Sequence, residues 1–94
     1  RLVIQGLENK PKFVAAVLDE VGELDADAIQ AEVIEAAMSA ASDPSVRALL
    51  LECSLLPPYS AAVQEATGLP VFDYNTMINY VYSSVVRFEF EGIM

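Results

Sequence analysis

The chain contains no histidine, no tryptophan and a single cysteine among its 94 residues. Without histidine no serine–histidine pair exists, so a standard hydrolase triad is excluded. The same scarcity argues against a structural zinc site, and no metal is expected. One thiol makes no internal disulfide, which fits a reducing compartment; a cytoplasmic location is expected. Basic residues are few: five Lys and Arg stand against fourteen Asp and Glu, for a formal net charge of -9. Such a balance repels phosphate backbones and anionic lipid, so neither nucleic acid nor a membrane surface is an expected partner. No apolar run approaches the ~20 residues of a membrane-spanning helix. Glycine is sparse as well, and Gly6-Leu7-Glu8 lacks the spacing of a phosphate-binding loop.

What the chain has in quantity is apolar surface. Hydrophobic residues make up 54% of it, above the usual ~45–50%. A chain this short hides only about 60–65% of its unfolded surface. Residues 1–94 are therefore read as one domain with more apolar surface than it buries alone, and a homo-oligomer is expected. The chain opens at Arg1 directly in an apolar stretch, and a piece of a longer protein is expected.

Periodicity gives the order β-α-α-β-α-β-α. A short strand is expected at residues 2–5, closed by Gly6. Asn9 and Pro11 then start a helix carrying Phe13, Val14, Val17, Leu18 and Val21, with Gly22 as its stop. Asp25 caps a second helix with Ile29, Val33, Ala36, Ala37 and Ala40 on one face; Asp27, Gln30 and Glu35 face outward. Pro44 ends it. The stretch VRALLLECSLLPP follows, whose residues 46–51 read as a strand covered on both faces. A helix over 58–67 ends at Gly68, a third strand is expected at 70–72, and Asp73 caps a last helix to about Arg87 with Met77, Ile78, Val81 and Val85 as its apolar stripe. Phe88 to Glu91 alternate in an extended pattern. Strands alternating with helices through short connections imply an α/β fold with a parallel three-stranded sheet and flanking helices.

Cys53 falls where the central strand hands over to a helix, the edge at which open α/β sheets bind ligands. The helix start near Pro58 favours a thiolate there, and Glu52 opposes it. The competing reading is a small buried hydrophobe, common for free cysteine. Ser54 offers a hydroxyl and an amide for a carboxylate, or simply closes a turn. Glu52 adjoins Cys53 and is read as lining the same site. Asp73 and Thr76 are read as helix caps, Tyr80 and Tyr82 as packing residues, and Asp19, Glu20 and Glu23 as a solvated helix end.

Over LLLECSLLPPYSAAVQEATGLPVFDYNTMINYVY the chain resembles the aspartate/glutamate racemase superfamily, which includes hydantoin racemases. The matching elements are the strand ending in Cys53 and Ser54, the turn Leu56-Pro57-Pro58-Tyr59, and Gly68-Leu69-Pro70-Val71 before Asp73. The resemblance covers nearly the whole chain but only the later portion of a family member. It implies the C-terminal lobe of a two-lobed, cofactor-independent racemase or isomerase. In such an enzyme Cys53 exchanges a proton at the α-carbon of a small carboxylated substrate, and Ser54 holds the carboxylate. Two thiols work from opposite faces. The first cysteine and its lobe are absent here, and Glu52 stands where the family often has glycine, so the piece alone is expected to be inactive. A decarboxylase or cis-trans isomerase of the same superfamily is chemically close. The alternative from another class is a non-catalytic α/β assembly domain whose cysteine is structural.

Overall fold

The computed structural model describes residues 2–17 and 26–89. In chain order they form α1 (Pro11–Val17), α2 (Ala26–Ala41), β1 (Leu49–Leu50), a 3-10 turn (Pro57–Tyr59), α3 (Ser60–Thr67), β2 (Val71–Phe72) and α4 (Tyr74–Val85). The fold is α/β, with helices around a small sheet of two parallel strands, Leu49 opposite Val71 and Leu50 opposite Phe72. Hydrogen bonds from the Leu49 and Leu51 amides to the Pro70 and Phe72 carbonyls, 2.9 and 2.8 Å long, flank the pairing.

The core forms where the apolar stripe of α2 meets α3 and the loop before it. Ile29, Val33 and Ala37 pack with Phe13, Leu49, Leu56, Tyr59 and Val63. Val63 is 0% exposed. Burying such a side chain stabilises the fold by about 1.5–3 kcal/mol. Gly68 ends α3 in the left-handed region at φ 69°, with its amide on the Gln64 carbonyl. A side chain is strained there, which is why glycine serves.

The expected third strand at residues 2–5 does not form. This stretch finds no ladder partner, and Leu2 and Ile4 remain 82% and 84% exposed. A strand exists only where another chain segment accepts its hydrogen bonds, and apolar character alone does not supply one. For the same reason residues 46–51 pair only over Leu49–Leu50. Leu49 is buried but Leu50 is 66% exposed, so β1 is covered on one face, not two. The helix expected from Pro58 begins as a 3-10 turn, with the Tyr59 amide on the Leu56 carbonyl and the Ser60 amide on Pro57.

α1 is held from outside. The Glu32 carboxylate of α2 accepts from the Lys12 and Phe13 amides at 3.1 and 2.8 Å, satisfying two donors that the first turn of any helix leaves open. Lys10 adds an ion pair to Glu35. The stripe of α4, expected to be core, is exposed along its length, as are Tyr80 and Tyr82. The expectations on Leu18, Val21, Gly22, Asp25, Asp19, Glu20, Glu23, Phe90 and Glu91 lie outside the described residues.

Candidate functional site

The two parallel strands end side by side, and each leads into polar side chains. β1 runs through Leu51 to Glu52 and then Cys53. β2 runs into Asp73 and the first turn of α4. Between these ends lies an open cleft of ≈ 420 Å³, lined by Leu50, Leu51, Glu52, Asp73, Tyr74 and Met77. It stands at the carboxyl ends of the strands, the side on which open α/β sheets bind ligands.

Asp73 is the best-fixed group in the cleft, only 6% exposed. One carboxylate oxygen accepts from the Thr76 amide at 2.9 Å, and the other accepts from the Ser60 hydroxyl at 2.5 Å. Thr76 returns the contact, its hydroxyl accepting from the Asp73 amide at 2.9 Å. This reciprocal capping box bears out the capping role read for both residues. The Ser60 hydroxyl, and after it the Thr76 amide, hold the Asp73 carboxyl below its ordinary range. The amide donors that make a helix start attractive to anions are partly used by the chain's own carboxylate at α4.

Cys53 is half-buried and rests on the edge of the core. It follows the cleft-lining Glu52 but is not itself part of the lining. Its carbonyl accepts from the Leu56 amide at 3.1 Å, closing a turn that contains Ser54 and Leu55. Both of these residues are exposed, and among the described residues their amides have no acceptor. The helix-start argument for Cys53 loses force in the structure. Pro57 and Pro58, the first two residues of that helical segment, carry no amide hydrogen.

The structure thus brings Glu52 to the cleft, leaves Cys53 next to it in the chain but outside the lining, and leaves Ser54 exposed in the turn that follows. Sequence reasoning missed Tyr74 as a cleft residue and assigned Met77 to packing. The available signal was position: both fall in the first turn of a helix that starts at the carboxyl end of a strand.

No family model matches the chain, and no solved structure matches it. Curated relatives do. Dimethylsulfoniopropionate lyase 6 of Emiliania huxleyi is 37% identical over 91 residues, which is 92% of this chain and 23% of the relative. Dimethylsulfoniopropionate lyase 5 of the same organism is 36% identical over 85 residues, 89% of this chain and 16% of the relative. A dimethylsulfoniopropionate lyase of Durusdinium sp. clade D is 36% identical over 72 residues, 76% of this chain and 23% of the relative. The chain spans about a quarter or less of the length of these relatives. These names overturn the racemase and isomerase expectation: the similar proteins are lyases, and no family model supports the racemase superfamily. The alternative of a purely structural assembly domain gains no specific support either, since Cys53 is only half-buried.

Proposed function

We propose that this chain is part of a lyase acting on dimethylsulfoniopropionate, with Cys53 as the base that begins the reaction. The observation that carries the reading is the match, over most of the chain, to proteins bearing that name. The placement of the chain's single cysteine beside a cleft at the carboxyl edge of the sheet supports the choice of residue.

The substrate's name describes a propionate carrying a positively charged dimethylsulfonium group. Elimination needs a base at the carbon next to the carboxylate. The Cys53 thiolate takes that proton, and the C–H electron pair becomes a carbon–carbon double bond. The carbon–sulfur bond breaks, and its electrons pass to the sulfonium, which leaves as neutral dimethyl sulfide. Acrylate remains, and the proton on the thiol returns to water. Ser54 and the amides of its turn hold the substrate carboxylate, and Glu52 lines the site. No metal or cofactor is invoked. The activity belongs to a longer polypeptide of the relatives' kind, acting in a reducing, cytoplasmic setting. A third strand on the open edge of β1 and self-association of the chain are parts of the same proposal.

The test is release of dimethyl sulfide into headspace gas by a polypeptide of the relatives' length carrying this segment. Cys53→Ala is expected to lower the rate by at least ~10²-fold, the usual worth of a general base. Undiminished release overturns the assignment of Cys53. No release by the unaltered polypeptide overturns the lyase reading.

A further inference from the structure

Resting on the lyase reading, we infer that the cleft formed by Leu50, Glu52, Tyr74 and Met77 takes the sulfonium end of the substrate, so that the substrate lies with its cation over the cleft and its carboxylate toward the turn at Ser54. Two features of the cleft select a cation. Its ionisable side chains include the carboxylates of Glu52 and Asp73, with no lysine or arginine in the lining. The start of α4, which would otherwise attract an anion, is occupied by the Asp73 side chain. Asp73 has both oxygens engaged, so it contributes fixed charge and not a direct contact. Glu52 is exposed and supplies the carboxylate free to approach the ligand.

The remaining lining suits methyl groups on a charged sulfur. Tyr74 brings an aromatic ring, whose face attracts cations. Met77 and Leu50 bring polarisable and apolar surface. On the other side of Cys53 the character reverses. There the turn offers the Ser54 hydroxyl and two amides without acceptors among the described residues. Amides without an acceptor are donors that a carboxylate can use. The run Glu52, Cys53, Ser54 therefore presents a negative group, a base and a set of donors in sequence.

Trimethylsulfonium is the probe, titrated into the 94-residue chain and followed by amide chemical shifts. Shifts are expected at Glu52, Tyr74 and Met77. Tert-butanol, uncharged and of similar size, is expected to leave those amides in place. Glu52→Gln and Tyr74→Leu are each expected to weaken binding by about three- to tenfold. Tyr74→Phe keeps the ring and is expected to bind as the unaltered chain does, which separates recognition from folding. In the longer polypeptide Tyr74→Leu is expected to raise KM for dimethylsulfoniopropionate with little change in kcat. Equal shifts with tert-butanol, shifts confined to other residues, or unchanged affinity in both variants overturn the inference. The two readings fail separately. Dimethyl sulfide release without trimethylsulfonium binding sinks the cation site alone. Binding of the probe without any release sinks the lyase reading and leaves a cation site standing.

Discussion

Replacing Asp73 tests the framework that holds the cleft together. Its carboxylate closes the first turn of α4 through Thr76 and ties that turn to the start of α3 through Ser60. Asp73→Ala removes a cap worth about 1 kcal/mol. It also leaves the Ser60 hydroxyl without its charged acceptor, a further loss of about 1 kcal/mol or more. The expected total is about 2 kcal/mol. In a domain of this size each kcal/mol moves the midpoint of thermal unfolding by about 4–8 °C. The midpoint followed by circular dichroism should therefore fall by about 8–16 °C. Asp73→Asn separates the parts, because asparagine caps almost as well as aspartate and lacks the charge facing Ser60. Its loss should be about half as large. The pH dependence has a definite sign. Hydrogen bonds from Ser60 and Thr76 lower the carboxyl in the folded chain below its ordinary value of 3.8. Its stabilisation is complete well above 3.8 and fades as the pH falls from there through the lower folded value. The difference in urea midpoint between the unaltered chain and Asp73→Asn should therefore shrink between neutral pH and about pH 3. A melting point within ~2 °C of the original in Asp73→Ala, or a pH-independent difference, would rule out this role for Asp73.

Three further outcomes follow from the packing. Val63→Ala empties a fully buried position and is expected to cost about 2–3 kcal/mol in urea unfolding. Glu32→Ala removes the acceptor from the Lys12 and Phe13 amides. It is expected to release α1, seen as faster amide exchange at Phe13 and Val14 with little change in α3. The chain exposes 7256 Å², about 1,900 Å² more than a compact monomer of its mass. A standard interface needs only ~800 Å² per partner. α4 carries no charged residue in a chain of net charge -9, so a second copy brought against it would meet no charge on that helix. Light scattering at micromolar concentration is expected to give more than one 10.2 kDa chain, and Tyr80→Lys with Val85→Asp to return the single-chain mass. A single-chain mass for the unaltered protein would contradict self-association.

Features set by local chemistry are legible in the amino-acid order alone. The stripe of α2, the left-handed stop at Gly68 and the capping pair Asp73 and Thr76 all stand as expected. Each depends on residues within a turn or two of one another. What failed depended on partners. Residues 46–51 have the composition of a buried strand, yet composition does not create the neighbour that covers Leu50. The α4 pattern correctly announced an apolar face and said nothing of what would sit on it. Glu32 looks like one more solvated carboxylate on α2; its role comes from the approach of α1, which spacing along the chain does not encode. Placing Cys53 at the carboxyl edge needed only the strand-to-helix order. The cleft beside it needed the parallel pairing of β1 with β2, which sets the start of α4, and with it Tyr74, against the end of β1. A cysteine at a sheet edge does not distinguish one member of an inverting pair from the base of an elimination; the names of the relatives do.

The hydrogen bond from Ser60 to Asp73 links the two sides of the proposed site. Ser60 opens α3 soon after the loop that presents Glu52, Cys53 and Ser54. Asp73 caps α4, which supplies Tyr74 and Met77 to the cleft. The sheet that joins these two sides has only two residues in each strand. Such a ladder resists sliding weakly, so the position of the thiol relative to the cleft depends on the contacts flanking it. On the loop side Leu56 and Tyr59 are buried with Val63 in the core. On the cleft side the fixed group is Asp73, and the Ser60 bond joins the two. Ser60→Ala leaves the α4 cap intact and cuts only this link. Its expected signature is a modest loss of stability with a disproportionate loss of trimethylsulfonium binding, a split that simple unfolding would not produce.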